Sequence, residues 1–292
     1  MQPQCERGCA LSDPETGNTP PLGLEDGSAL ADLSRTGPGD SRASIERAAR
    51  LFAGRRGDAP DDPGCAWLDL PPPAMPLERA PRWRASGTMG WAEGRAVGVL
   101  RTGPLRFRPG QCDLLHFSLR DGAEWVIRDG GTGSYDPPEE WWWSALAGAG
   151  GHNAPVFDGQ EPMARAGLFI LAGWPRISPL ELGAALCDRR GNATSREIRV
   201  NGHEWALVDR LRGPFRRVAW HWRLGPGAWR LTADGVACET AAVSVKGDAP
   251  LRLSLRRGCE SPAYNTVTPC QMLLVEARSP ISRMDTCIRL AK

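Results

Sequence analysis

From about residue 82 onward the chain is written in short runs in which apolar and polar positions alternate. Val218, Trp220, Trp222 and Leu224 alternate with Arg217, Ala219, His221 and Arg223. Leu251, Leu253 and Leu255 alternate with Arg252, Ser254 and Arg256. Leu115, Phe117 and Leu119 occupy one phase of a third run, and Leu114, His116 and Ser118 the other. Successive side chains of a strand point to opposite faces, so a period of two describes a sheet with one buried and one wet face. Gly, Pro and Asp turns separate the runs at close spacing, which favours antiparallel strands over βαβ crossovers. The expected fold is all-β: a large antiparallel β-sandwich of the super-sandwich kind, with a short N-terminal helical segment.

That segment shows a helical period. Ile45, Ala48, Ala49 and Phe52 recur three and four apart, behind Asp40 or Ser41 as a cap and ahead of Gly54, predicting a helix over 41–53. Residues 1–40 are rich in Gly, Pro, Asp and Ser and are expected to be disordered or loosely attached. Residues 57–63 and the proline run 71–73 mark a linker. The chain thus divides into a loose 1–40, a helix and linker over 41–80, and a sandwich over 81–292.

Composition narrows the function classes. The net charge of +2 on 292 residues is too small to point to nucleic acid or a membrane surface as partner. Nine cysteines lie at irregular spacing with no C-x-x-C pair, which reads as free thiols rather than a zinc finger or a disulfide framework. Residues 1–20 carry acids, prolines and no apolar stretch, so they do not read as a signal peptide. No run anywhere is long enough to span a bilayer as a helix.

Several short motifs follow one another in a telling order. Asp113-Leu-Leu-His-Phe-Ser-Leu is followed by Arg128-Asp-Gly-Gly-Thr-Gly-Ser-Tyr135, then Gly151-His-Asn, then Asp158-Gly-Gln. This series resembles the C-terminal domain of the heparinase II/III-like polysaccharide lyases, with its aspartate-bearing strand, D-x-G-T-x-x-Y turn, A-H-N triplet and D-G-Q turn. Val208-Asp-Arg-Leu-Arg-Gly, the segment from Trp222 to Trp229, and Glu260-Ser-Pro-Ala-Tyr264 are similar to later parts of that domain. Leu24-Glu-Asp-Gly-Ser and the helix near Arg47 resemble the end of the family's helical toroid.

The resemblance implies eliminative cleavage of a uronate-containing, acidic polysaccharide. A base removes the proton α to the uronate carboxyl, and a tyrosine or histidine protonates the leaving oxygen. In the family those groups sit largely on the toroid, which is expected to lie outside this chain and to be supplied elsewhere. Some members add a histidine two positions before the strand aspartate, where Gln111 stands here and cannot act as a base. The chain is therefore expected to be inactive alone. Its alternative reading is a non-catalytic carbohydrate-binding or assembly module.

The resemblance also places Asp113, Asp129 and His152 at positions associated with a metal, zinc by preference. Two carboxylates and one imidazole suit that ion. On the residues alone, Asp129 reads as a cap of its own Gly-rich turn, and His152 as a packed or hydrogen-bonding histidine. His116 is either solvated or lines a substrate groove. In Glu139-Glu140-Trp141-Trp142-Trp143 the three indoles cannot all face one core. Trp141 and Trp142 are candidates for stacking on sugar rings, or for docking against the toroid. Arg217, His221 and Arg223 read as a basic strand face, either solvated or suited to an acidic glycan.

Overall fold

The computed structural model describes residues 11–20, 37, 39–85, 87–105, 109–167 and 169–291. The predicted helix is α1 (Arg42–Ala53), ended by Gly54 in the left-handed conformation with its N–H donated to the Ala49 carbonyl. Ile45 and Ala49 bury against Leu77, whereas Phe52, expected on the same apolar face, is 42% exposed. Its partner α2 (Pro63–Trp67) is a single turn opened by a proline.

Most of residues 1–40, expected to be loose, lies outside the described residues. Within that span the described stretch 11–20 sits against the sandwich: Leu11, Ser12 and Asp13 are buried, and Asp13 Oδ2 accepts a 2.7 Å hydrogen bond from Arg120 Nη1.

Nineteen strands follow α2 among the described residues. β1 (Arg82–Ala85), β2 (Thr88–Glu93), β3 (Ala96–Arg101), β4 (Phe117–Asp121) and β5 (Glu124–Ile127) form a five-stranded meander. β6 (Val156–Phe157) is short, and β7 (Ala164–Gly167) pairs with β8 (Ile170–Ala172) as a separate hairpin. β9 (Arg176–Leu180), β10 (Gly183–Cys187), β11 (Ala193–Asn201) and β12 (Glu204–Arg212) run up and down as half of an eight-stranded sheet. β13 (Arg217–Arg223) crosses to the opposite layer. β14 (Arg230–Leu231), β15 (Gly235–Ala237) and β16 (Ala241–Gly247) return to the large sheet. The long hairpin β17 (Leu251–Ala263) and β18 (Thr266–Arg278) joins β13 and β6 in a four-stranded sheet. β19 (Arg283–Leu290) closes the large sheet between β16 and β12. Every pairing within these sheets is antiparallel, and the all-β expectation holds.

One apolar core is shared by the three larger sheets, with Trp205, Trp220, Trp222, Phe117 and Leu100 at its centre. The apolar phase of β13 is buried as expected, with Val218, Trp220 and Trp222, and Leu224 just after the strand, all at most 1% exposed. Around β4 the alternation is not obeyed. Leu114, His116 and Ser118, assigned to the wet face, are buried as completely as Leu115, Phe117 and Leu119. The strand starts only at Phe117, and the residues before it form a turn in which Leu115 takes φ 63°. The turns that carry Asp129, His152 and Asn153 cover the face that alternation leaves open to water.

Candidate metal centre

The turn ahead of β4 delivers the first functional side chain. The His116 N–H donates to the Asp113 carbonyl at 3.0 Å, and Leu115, fully buried, holds a left-handed conformation that bulky residues rarely adopt. His116 Nε2 then lies 2.8 Å from Ser118 Oγ and 3.5 Å from Asp129 Oδ2.

Asp129 comes from the Gly-rich turn after β5. Its Oδ1 accepts the Gly131 N–H at 2.7 Å, the local cap expected of an aspartate in such a turn. Its Oδ2 is left for the histidines and lies 2.8 Å from His152 Nδ1. The turn-cap role and the histidine contact are therefore carried by different oxygens.

His152 follows a glycine-rich loop that only glycine can close. A Cβ on Gly151 would lie 1.7 Å from the Leu146 carbonyl oxygen. The Gly130 N–H donates to the Gly151 carbonyl at 3.0 Å, tying the Asp129 turn to the His152 loop.

His116, Asp129 and His152 thus converge, with one donor atom from each lying within 4.8 Å of the others. All three are buried, and His152 Nε2 has no hydrogen-bond partner among the described residues. The 2.8 Å contact to Asp129 is made by His152 Nδ1 and is a hydrogen bond, so the nitrogen left for a metal is His152 Nε2. His116 Nε2 lies 3.5 Å from Asp129 Oδ2, near the roughly 3.3 Å that ligand atoms about 2.0–2.1 Å from a tetrahedral zinc need. Two imidazoles and a carboxylate, buried around an unused ring nitrogen, fit a dication.

Electrostatics describe the same environment. Burial pushes His116 down to about 3, against the pull of the Asp129 carboxylate. Burial alone would raise the Asp129 carboxyl, but the two imidazoles and its hydrogen bonds from His152 and the Gly131 N–H hold it below the ordinary carboxylate range. Burial likewise disfavours a charged His152, and Asp129 outweighs it, so His152 is held above the ordinary imidazole value.

Asp113, expected among the ligands, is not in this cluster. Its Oδ2 is 2.8 Å from Arg101 Nε on the neighbouring strand β3, and this ion pair occupies it. Its backbone carbonyl instead accepts the His116 N–H in the turn that delivers His116, and His116 stands in the cluster where Asp113 was expected. His116 is not solvated, being 2% exposed. Gln111 is also buried and donates to the Gly131 carbonyl at 3.3 Å.

Two arginines that the sequence reading left aside or misplaced brace the site. Arg196 on β11 is fully buried, and both of its ends are used. Its Nε and Nη2 donate to Asp209 on β12 at 2.8 and 2.7 Å. Its Nη1 donates to the Leu115 carbonyl at 2.8 Å, and its Nη2 to the Asn153 carbonyl at 3.1 Å. One guanidinium therefore spans the residues adjacent to both histidines. Asn153 adds a link, accepting the Phe117 N–H at 2.9 Å and donating back to its carbonyl. A signal for this pair exists, because Arg196 and Asp209 lie in the apolar phases of their strands and face each other in the register. Arg223 does not belong to an exposed basic face. It is 3% exposed and donates to the carbonyls of Ala145, Gly150 and Cys259 at 2.6, 2.7 and 2.9 Å, bracing the glycine loop. Arg217 stays exposed, and His221 is half-buried.

The tryptophan triplet forms a second feature. Trp141, 43% exposed, and Trp143 line a cavity of about 450 Å³ with Glu140, Glu161 and Arg165. The Arg165 guanidinium lies 4.5 Å from the centre of the Trp143 ring. Trp142, expected beside Trp141 as a sugar platform, is not in this wall; its ring lies against Gly133 instead.

A β-super-sandwich with a buried imidazole–carboxylate centre is the class that fold and site define. The chain belongs to the heparinase II/III-like family, whose C-terminal domain model matches residues 75–291. No curated protein matches it in sequence. Among solved structures, it is similar to a heparinase III at 14% identity and a TM-score of 0.68, covering 97% of this chain and 45% of that one. A second heparinase III matches at 13% identity and 0.68, covering 98% of this chain and 48% of the other. The heparan sulfate lyase HepC from Pedobacter heparinus matches at 17% identity and 0.64, covering 96% and 45%. The chain therefore spans just under half the length of these relatives.

Proposed function

We propose that this chain is the sandwich domain of a polysaccharide lyase that cleaves an acidic, uronate-containing glycan by β-elimination, and that it holds zinc at His116, Asp129 and His152. The observation that carries the reading is the buried imidazole–carboxylate cluster, in a chain of this family whose structural relatives include a heparan sulfate lyase. Bound there, the dication supplies a cross-link between the turn before β4 and the loops at residues 129 and 152. The chain's own residues prepare that centre. Asp129 and Arg196 fix the two histidine-bearing segments, and burial of all three side chains excludes water.

In the elimination the C–H bond α to the uronate carboxyl gives up its proton, the glycosidic C–O bond at the β carbon breaks, and the leaving oxygen is reprotonated. No residue of the centre is assigned to these transfers. Gln111 has no basic atom, and in this reading His116 and His152 are spent on the dication. The base and acid belong to a helical toroid domain, with which the sandwich works. Trp141 and Trp143, with the Arg165 guanidinium over the Trp143 ring, offer an aromatic wall for a sugar ring and a cation for its carboxylate.

The test is incubation of the purified chain with heparan sulfate, chondroitin or alginate. The expected outcome is no unsaturated uronate chromophore above a no-protein control. Its appearance at a rate proportional to protein overturns the assignment of base and acid to the toroid. Gln111 favours a second reading, a glycan-binding module without catalysis; the two separate when the helical domain is added, because only the first then yields product.

A further inference from the structure

The outer face of the eight-stranded sheet carries a groove that neither the metal centre nor the tryptophan cavity uses. Its volume is about 620 Å³, within the range of ligand sites, roughly 300–1,000 Å³. Cross-strand register explains its shape. Arg176 on β9, Cys187 on β10, Ala193 on β11 and Arg212 on β12 stand in one row. Ser178, Ala185, Ser195 and Arg210 stand in the next. Directly paired residues share a face, so the small side chains of the two central strands floor a trough whose rims carry guanidinium groups. Strands about 4.8 Å apart place the β9 and β12 rims roughly 14 Å from each other.

The rim charge is not neutralised. Three arginines line the groove against one carboxylate, Glu197, which is 2.9 Å from Arg210 and occupies it. Arg176 and Arg212 have no ion-pair partner among the described residues. On a chain whose whole net charge is +2, this is a local surplus of positive charge. Guanidinium forks bind carboxylate and sulfate through paired, charge-assisted hydrogen bonds, and a ligand that engages both rims at once needs anions spaced across the groove. The floor of Ala185, Cys187, Ala193 and Ser195 carries no bulky group, so flat rings can lie close to the sheet.

We propose that this groove is a second glycan site, taking an oligosaccharide that carries carboxylate or sulfate groups and lies across β9 to β12. The choice of a glycan over another polyanion rests on the lyase reading above; the position and charge of the site do not. Such a site would hold a long polymer on the domain while another stretch is cleaved.

Calorimetric titration of the full chain tests it with three oligosaccharides: a heparan sulfate fragment, an unsulfated oligouronate and a neutral malto-oligosaccharide. Arg176→Ala/Arg212→Ala is expected to weaken binding of the anionic ligands about tenfold or more, with zinc content and unfolding midpoint unchanged. Loss confined to the sulfated ligand identifies sulfate as the recognised group, and loss of both identifies the shared anion. Arg176→Lys/Arg212→Lys, which keeps charge but not the fork, is expected to fall between wild type and the alanine variant. Wild-type affinity in the alanine variant overturns the site. So does equal affinity of the wild type for single-stranded DNA, which would mark an unselective basic face. Binding abolished only by Trp141→Ala/Trp143→Ala moves the glycan to the tryptophan cavity and leaves the lyase reading standing. Absence of any glycan binding by the wild type also overturns the groove, and the zinc and elimination measurements then judge the lyase reading separately.

Discussion

Asp129 divides its two oxygens between a local and a long-range task. Oδ1 holds its own turn through the Gly131 N–H, while Oδ2 meets His152 at 2.8 Å. In tag-free protein, elemental analysis is expected to find near-stoichiometric zinc that is lost in Asp129→Asn and in His152→Ala. Asp113→Asn is expected to keep it, because that carboxylate is spent on Arg101. Zinc absent from the wild type, with a melting temperature unmoved by chelator, would leave the turn cap as Asp129's whole role. Gly151→Ala changes no ligand, yet its Cβ would lie 1.7 Å from a carbonyl oxygen. The loop must shift to admit it, so this variant is expected to lose zinc as well.

Among the elements, β13 gives the clearest energetic reading. Trp220 is fully buried, and its Nε1 donates to Asp209 Oδ2 at 2.9 Å, linking the core to the Arg196 brace. Trp220→Ala should cost about 3–5 kcal/mol in urea unfolding. A loss under about 1 kcal/mol would mean that the strand is not packed in this register. On the opposite face of β13, burial pushes His221 down to about 4 from 6.5, with Arg223 adding to the effect. A histidine depressed by folding contributes stability that is complete above its unfolded value and is lost as pH falls towards the folded one. His221→Gln is therefore expected to flatten the fall in stability between pH 6.5 and 4. An unchanged pH profile would show that His221 meets water freely.

Across the whole molecule, one buried ion pair ties the N-terminal segment to the sandwich. Asp13 and Arg120, separated by 107 positions, meet at 2.7 Å with both side chains nearly inaccessible. A buried pair is costly to break from one side, because it leaves a charge without its partner. Asp13→Asn should lower the unfolding midpoint, and Asp13→Asn/Arg120→Met should recover most of that loss, since neither charge remains. A double variant as unstable as the single one would assign the effect to lost packing. No described helix is long and apolar enough to cross a membrane.

The amino-acid sequence by itself determined the strand-rich fold, the helix over 42–53 and the inward face of β13. These follow from local period and turn chemistry, which act over a few residues. It also brought Asp129 and His152 into view, through motifs in a recognisable order. The tertiary structure decided what local period cannot express: that the turns bearing Asp129, His152 and Asn153 fold over the residues before β4, turning His116 from a surface residue into a buried partner of Asp129. It decided that Arg101 claims Asp113 and that Trp143, not Trp142, lines the cavity with Trp141. It also decided that Arg196 braces both histidine segments. Each of these depends on which distant groups arrive within hydrogen-bonding reach, and only the closed arrangement of sheets sets that.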